Sequence, residues 1–197
     1  MSVDEKMDNS RRQLLVATSA VGGAIGVAAA VPFVASLTPS ERAKAAGAPV
    51  EADIGKLAPG EMMTVEWRGK PVWILRRTPE MLESLKKTDP LVSDPGSEKP
   101  MQPEYAKNEY RSIKPEYMVA VGICTHLGCS PSSKFKSGAE SGLGDDWYGG
   151  FLCPCHGSTF DLAGRVYKSK PAPDNLEVPP HKYLSDAKLL IGDDGKA

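Results

Sequence analysis

Two six-residue segments constrain this chain more than anything else in it: Cys124-Thr125-His126-Leu127-Gly128-Cys129 and, 24 residues further on, Cys153-Pro154-Cys155-His156-Gly157-Ser158. All 4 cysteines and two of the 3 histidines fall inside them. Each segment offers a thiol and an imidazole from a short run of turn-forming residues, so the two loops together can bring two thiolates and two imidazoles to one metal site. Soft thiolates with borderline imidazoles suit zinc or iron-sulfur. A zinc finger keeps like ligands together, as C-x2-4-C with H-x3-5-H, whereas here each loop holds one of each kind.

Residues 13–40 contain no charged side chain. The centre of that run, Leu14 to Leu37, would reach roughly 36 Å as a helix, enough for a hydrocarbon core of about 30 Å with some tilt. A transmembrane helix over residues 13–37 is expected, with a buried core helix or a cleaved signal peptide as the alternatives. Ser10-Arg11-Arg12-Gln13-Leu14-Leu15 stands directly before the run and resembles a twin-arginine export signal. Lys6, Arg11 and Arg12 favour a cytoplasmic N-terminus over residues 1–12, although Asp4, Glu5 and Asp8 cancel them in net charge. The body would then lie in the periplasm of a bacterial cell, on a single pass through the inner membrane. Ala35-Ser36-Leu37 and Ala43-Lys44-Ala45-Ala46 are imperfect cleavage sites, which favours retention of the helix as an anchor. Residues 38–50, small and polar with Pro39 and Pro49, read as a linker, either a short connector or a flexible hinge that lets the head move relative to the anchor.

Residues 51–197 are enough for one domain. A formal charge of -1 excludes the cationic field that gathers nucleic acid, and 19 Gly with 17 Pro imply many turns. Residues 62–67 and 70–76 read as two strands around the turn signal Arg68-Gly69-Lys70, and Tyr117 to Ile123 as a strand that runs straight into Cys124. Pro79 to Lys87 reads as a short helix capped by Thr78. Residues 89–115, rich in Pro, Lys and Glu, read as a long surface excursion. The head is expected to be mainly β, with its Trp and Tyr residues in the core.

The mixed Cys/His loops, C-T-H-L-G-C and C-P-C-H-G-S, resemble those of the Rieske iron-sulfur subunits of bacterial quinol:cytochrome c oxidoreductases, the cytochrome bc complexes. Such a centre binds one iron of a [2Fe-2S] cluster with two Cys and the other with two His. The resemblance extends over the apolar N-terminal run, the linker and Lys170-Pro171-Ala172-Pro173. It implies an antiparallel β head with a cluster-binding subdomain, Cys124 and Cys153 on one iron, His126 and His156 on the other, and a disulfide between Cys129 and Cys155. A disulfide needs an oxidising compartment, and twin-arginine export carries folded cargo; both agree with an exported head.

By the same resemblance Ser158 donates a hydrogen bond to a bridging sulfide and raises the potential, the bland alternative being a turn serine. Leu127 shields the cluster and touches the quinol pocket, Pro171 belongs to a loop covering the cluster, and Gly128 and Gly157 complete its surroundings. Where many members carry a Tyr whose hydroxyl reaches a ligand sulfur, this chain has Phe160, so its potential should fall somewhat below the top of the Rieske range of about -150 to +300 mV. His181 lies outside the ligand set and reads as a packing or surface residue, and Asp145-Asp146 as a solvated loop.

The resemblance implies that His156, with His126 beside it, hydrogen-bonds quinol and takes its proton, because a metal-bound imidazole keeps a second nitrogen that a cysteine lacks. The head would then pivot on the linker and pass the electron to a c-type cytochrome, beside a cytochrome b subunit in a dimeric membrane complex. The second quinol electron must go to another subunit, so catalysis belongs to the complex. The competing readings are the Rieske subunit of another periplasmic oxidoreductase, such as arsenite oxidase, and a structural zinc module.

Overall fold

The computed structural model describes residues 3–195, apart from the side chains of residues 3–8, Arg42 and Ala46. The outermost ends of the expected N-terminal segment and head, residues 1–2 and 196–197, lie outside the described residues, as do the side chains of Asp4, Glu5, Lys6 and Asp8. Two compact units are present, Met1–Ala45 and Ala46–Ala197.

The first unit is dominated by one helix, α1 (Val3–Ser36), 34 residues long. It begins well before the charge-free run, so Arg11 and Arg12 stand on the helix, both exposed. Its large apolar side chains, from Leu14 to Phe33, are exposed on every side rather than along one stripe, which is not the pattern of a helix covering a core. The stretch Asn9–Ser36 is long and apolar enough to cross a membrane. Pro32 sits within the last turns, where the helix is about to end anyway.

The segment read as a linker contains a helix, α2 (Glu41–Ala46). The Ser40 hydroxyl accepts the Ala43 N–H at 3.2 Å, Glu41 pairs with Lys44 at 2.7 Å, and Glu, Lys and Ala are strong helix formers. Val50, assigned to the same linker, opens the first strand.

Among the described residues the head holds three antiparallel sheets of three strands each. β1 (Val50–Asp53) begins the outermost sheet. The central sheet starts with β2 (Met62–Trp67) and β3 (Lys70–Arg76), joined by Arg68-Gly69. Both turn residues have positive φ, 53° and 71°, as a two-residue hairpin loop of the right twist requires. α3 (Pro79–Thr88) follows, with the Thr78 hydroxyl accepting the Met81 N–H and Pro79 in the first turn, as the sequence implied. β4 (Tyr117–Val121) pairs with β3, giving the order β2-β3-β4. β5 (Ser132–Lys134), β6 (Gly150–Leu152) and β7 (Thr159–Phe160) form a small second sheet; β8 (His181–Ser185) and β9 (Lys188–Ile191) complete the outer one in the order β1-β9-β8.

The central sheet is buried on both faces, and the period-two alternation of its strands divides the core. Trp73, Leu75, Met118 and Ala120 point to one side, where they pack with Phe151, Phe160, Leu162, Cys124 and Cys153. Val72, Ile74, Tyr117, Val119 and Val121 point to the other, against Ile54, Leu189 and Ile191. Trp73 stacks on Phe151 with ring centroids 4.8 Å apart, so the central sheet holds the small sheet, and with it the cysteine loops, in one orientation.

His181 is the packing residue expected of it: it is buried, its Nδ1 lies 2.8 Å from the Pro179 carbonyl, and its ring meets Tyr105 edge-on. Burial pushes its pKa below the ordinary 6.5. On acidification through 6.5 the unfolded chain therefore gains a proton that the folded head refuses, and stability falls until the lowered folded value is passed. Chemical denaturation at pH 7.5 and pH 5 should show this loss, and His181→Phe should flatten the difference. An equal slope in the variant would reject the assignment.

Candidate metal centre

The two cysteine loops are built alike. Loop 124–129 lies between β4 and β5, and loop 153–158 joins β6 to β7. In each, the N–H of the first residue donates to the carbonyl of the sixth at 2.8 Å (Cys124 to Cys129, Cys153 to Ser158), and the N–H of the fifth donates to the carbonyl of the first at 3.0 Å (Gly128 to Cys124, Gly157 to Cys153). The fifth residue has φ of +83° in one loop and +73° in the other, conformations that glycine adopts without steric cost. This shared glycine position was available in the sequence as a common fifth residue of both segments.

The loops sort their side chains by depth. Cys124, Cys153 and Ser158 are buried, while Leu127, Gly128, Pro154, Cys155, His156 and Gly157 are exposed. His126 is half-buried with its Nδ1 wholly buried and unpartnered, and its ring stands 4.7 Å from that of His156, nearly perpendicular. Cys129 and Cys155 form a disulfide, as the resemblance implied, tying the two loops together. The sulfurs of Cys129, Cys153 and Cys155 lie within 4.8 Å of one another, but the disulfide leaves only Cys153 of these three as a thiol.

The remaining thiols, Cys124 and Cys153, face each other in the core. Burial pushes the Cys124 thiol up; the His126 backbone N–H pulls it down, Cys153 pushes it up again, and the Ser158 hydroxyl pulls it down. Two buried thiols, a buried imidazole nitrogen without a partner and an adjacent exposed imidazole make a donor set that a metal centre would satisfy. The Ser158 oxygen accepts the Ala172 N–H at 3.0 Å, which leaves its own proton free for sulfur.

A third loop closes the site. Ala172 is tied to Ser158, and the Thr125 hydroxyl donates to the Asp174 carbonyl at 2.6 Å, so residues 171–174 bridge both cysteine loops. Lys99 holds this bridge from behind, donating to the Pro173 carbonyl at 2.8 Å and to Asp174 at 2.6 Å. Lys99 was not legible as a site residue, because it belongs to residues 89–115, which read as a surface excursion. That expectation is corrected: the segment buries Val92, Ser97, Ala106, Arg111 and Ser112 and forms the floor beneath the third loop. Phe160 is buried among the packing around Cys124 and Cys153, and Asp145 and Asp146 are exposed as expected.

Two loops of mixed Cys and His, bridged by a disulfide over a small antiparallel sheet, define a Rieske protein, and a family model described as the Rieske [2Fe-2S] domain matches residues 49–180. A second, the "Ubiquitinol-cytochrome C reductase Fe-S subunit TAT signal", matches residues 1–40. The chain belongs to the family of ubiquinol-cytochrome c reductase iron-sulfur subunits, whose cofactor is one Rieske-type [2Fe-2S] cluster. It is 60% identical to the subunit of that name from Allochromatium vinosum, over 95% of this chain and 91% of the relative, and 38% identical to that of Bradyrhizobium diazoefficiens, over 98% and 100%. Among solved structures, a chain of "Hyperthermophilic respiratory Complex III" aligns with 26% identity and a TM-score of 0.46, covering 88% of this chain and 97% of that one.

Proposed function

We propose that this chain takes an electron and a proton from quinol at the quinol-oxidation site of a cytochrome bc complex and passes the electron to a c-type cytochrome. The observation that carries this reading is the exposure of His156, in ring contact with His126 on loops whose two free thiols, Cys124 and Cys153, are buried. Cys124 and Cys153 would hold one iron, and His126 and His156 the other; the cluster supplies a one-electron acceptor. The unpartnered Nδ1 of His126 fits such a ligand role. The His156 ring keeps one nitrogen outside the ligand set, open to solvent, where it can accept a hydrogen bond and then a proton from a quinol hydroxyl. Leu127, 71% exposed beside it, gives the tip an apolar surface for a quinone ring.

The rest of the chain fits an anchored subunit of a complex. α1 serves as a single transmembrane anchor in the bacterial inner membrane, the head lies in the periplasm, where the disulfide is stable, and cytochrome b and a c-type cytochrome are its neighbours in a dimeric assembly. Residues 38–49, which end where β1 begins, act as the tether. Lengthening it within residues 47–49 should slow turnover while leaving the cluster signal intact, and an unchanged rate would argue against movement of the head.

The test is low-temperature electron paramagnetic resonance on washed membranes, before and after ascorbate, with and without a quinol-site inhibitor. An ascorbate-reducible Rieske signal in the membranes that shifts with inhibitor is the expected result. A signal confined to the soluble fraction and indifferent to inhibitor, or bound zinc without any signal, would overturn the reading.

Phe160 sets a further expectation. Phe160→Tyr adds a hydroxyl donor in the core that contains both ligand sulfurs, and a donor favours the more negative reduced state. One net hydrogen bond of about 1 kcal/mol corresponds to roughly 40 mV for a one-electron couple, so the midpoint potential should rise by that order. A redox titration showing no rise, or a fall, would contradict it.

A further inference from the structure

Three guanidiniums lie buried behind the cysteine loops. They converge on the turn Asp161 to Arg165, which continues directly from β7, and two of them are capped in an unusual way. Arg165 is an ordinary buried ion pair: its Nε donates to Asp161 at 2.8 Å and its Nη1 to Asp89 at 2.6 Å. Among the described residues, Arg77 and Arg111 have no carboxylate in hydrogen-bond contact. Arg77 donates to the carbonyls of Tyr110, Leu162 and Tyr117 and to the Ser112 hydroxyl. Arg111 donates to the carbonyls of Ala163, Gly164, Leu176 and Met101 and to Gln102.

Retaining these two charges is costly. Both are buried, both leave a buried Nε–H without a partner, and Arg111 in addition holds a backbone φ of +50°, which a residue with a side chain adopts at a cost. Carbonyl capping alone does not demand a full charge. Asp161 is the only fully buried carboxylate among the described residues, and it already serves Arg165, Thr88 and two backbone N–H groups. The half-buried Asp94 is the other anion that Arg111 feels. Counting the fully buried groups alone, three guanidiniums face one carboxylate; the balancing carboxylates of Asp89 and Asp94 are only half-buried and so better screened by solvent.

The two arginines are tied to the same core that holds the ligand cysteines. Leu162, Ala163 and Leu176, whose carbonyls the two arginines cap, pack in the same cluster as Cys124 and Cys153. A buried charge is screened far less than an exposed one. We infer that Arg77 and Arg111 are fixed positive charges that raise the electron affinity of the cluster, tuning it for quinol oxidation rather than merely capping carbonyls. This rests on the cofactor reading given above. Burial pushes both pKa values down to about 10, so both side chains remain charged at neutral pH.

The test is a redox titration of the membrane-bound complex, followed through the Rieske resonance, which reports only on cluster-bearing molecules. Arg77→Met should lower the electron affinity about tenfold, or 59 mV for a one-electron couple. Arg77→Lys, which keeps the charge but not the fork of hydrogen bonds, should melt lower yet hold a potential near that of the parent. Asp161→Asn should move the potential the opposite way, upward. Equal shifts in the Met and Lys variants, or a lowered melting temperature with no shift, would reduce the arginines to structural caps and overturn the proposal. If Arg77→Met binds no cluster, the sign for Asp161→Asn decides: a rise supports the proposal, and a fall or no change rejects it. Absence of a Rieske resonance in the parent protein would instead strike the cofactor reading.

Discussion

Replacing His156 by leucine is expected to abolish the Rieske resonance and quinol oxidation together, while leaving the head folded. The side chain is exposed, so its loss opens no cavity and removes none of the packing that holds the loop. The loop itself is closed by backbone bonds of Cys153 and Gly157 and by the disulfide, none of which involves the imidazole. What disappears is one of four proposed ligands and the group proposed to take the quinol proton. Loss of a positioned base alone is worth on the order of 10² to 10⁴ in rate, and loss of a ligand removes the acceptor altogether. Turnover should therefore fall to background. Leu127→Ala is the matched control: it alters the same exposed tip without touching a ligand, so the resonance should persist while turnover drops. The measurements are resonance and quinol turnover on the same membranes. A full signal with normal turnover in His156→Leu would remove His156 from both roles, and a lost signal in Leu127→Ala would mean that the tip is a folding element rather than a contact surface.

The features most legible in the sequence are those with local or covalent causes. The two Cys/His segments announce a metal site because few other arrangements use thiol and imidazole in pairs. The hairpin at Arg68-Gly69 and the helix behind Thr78-Pro79 follow from turn and cap chemistry within a few residues. α2 was equally local, with Ser40 as cap and a run of good helix formers, yet its small and polar composition, flanked by two prolines, read as linker. Residues 89–115 were illegible for another reason. Arg111 is one of the most buried side chains, but a charged residue in a Pro-rich stretch carries no hydrophobic periodicity. Its partners, the carbonyls of Ala163, Gly164 and Leu176, lie more than 50 positions away and are invisible to any pattern of side chains. Lys99 escaped for the same reason: its role is to hold two groups of a loop that only the fold brings near. Burial driven by backbone carbonyls, rather than by apolar surface, is what the sequence conceals here.

Removing the bridge with Cys129→Ser and Cys155→Ser together is expected to cost about 3.5 kcal/mol, the loop-closure term for a sequence separation of 26. In a head of this size that lowers the melting temperature by roughly 10 °C. Both cysteines must be changed at once: with the three sulfurs of Cys129, Cys153 and Cys155 within 4.8 Å, a single substitution would leave a stray thiol beside Cys153, able to compete as a ligand. The stability loss should exceed the effect of breaking any one backbone hydrogen bond in the loops, because the bridge is a covalent cross-link that closes the chain between them. The third loop then holds them through Ser158 with Ala172 and Thr125 with Asp174. Cluster content should fall with stability, since the buried thiols depend on that closure to stay out of water. Cys155 is exposed, so a small dithiol reductant should reach the bridge in the parent protein and reproduce the phenotype without mutation. Melting curves and iron content for the double variant, and for parent protein with and without reductant, make the comparison. An unchanged melting temperature in the double variant would show that the hydrogen-bonded loops are rigid without their bridge, whereas lost cluster with unchanged melting would assign the bridge to shielding the cluster instead of holding the fold.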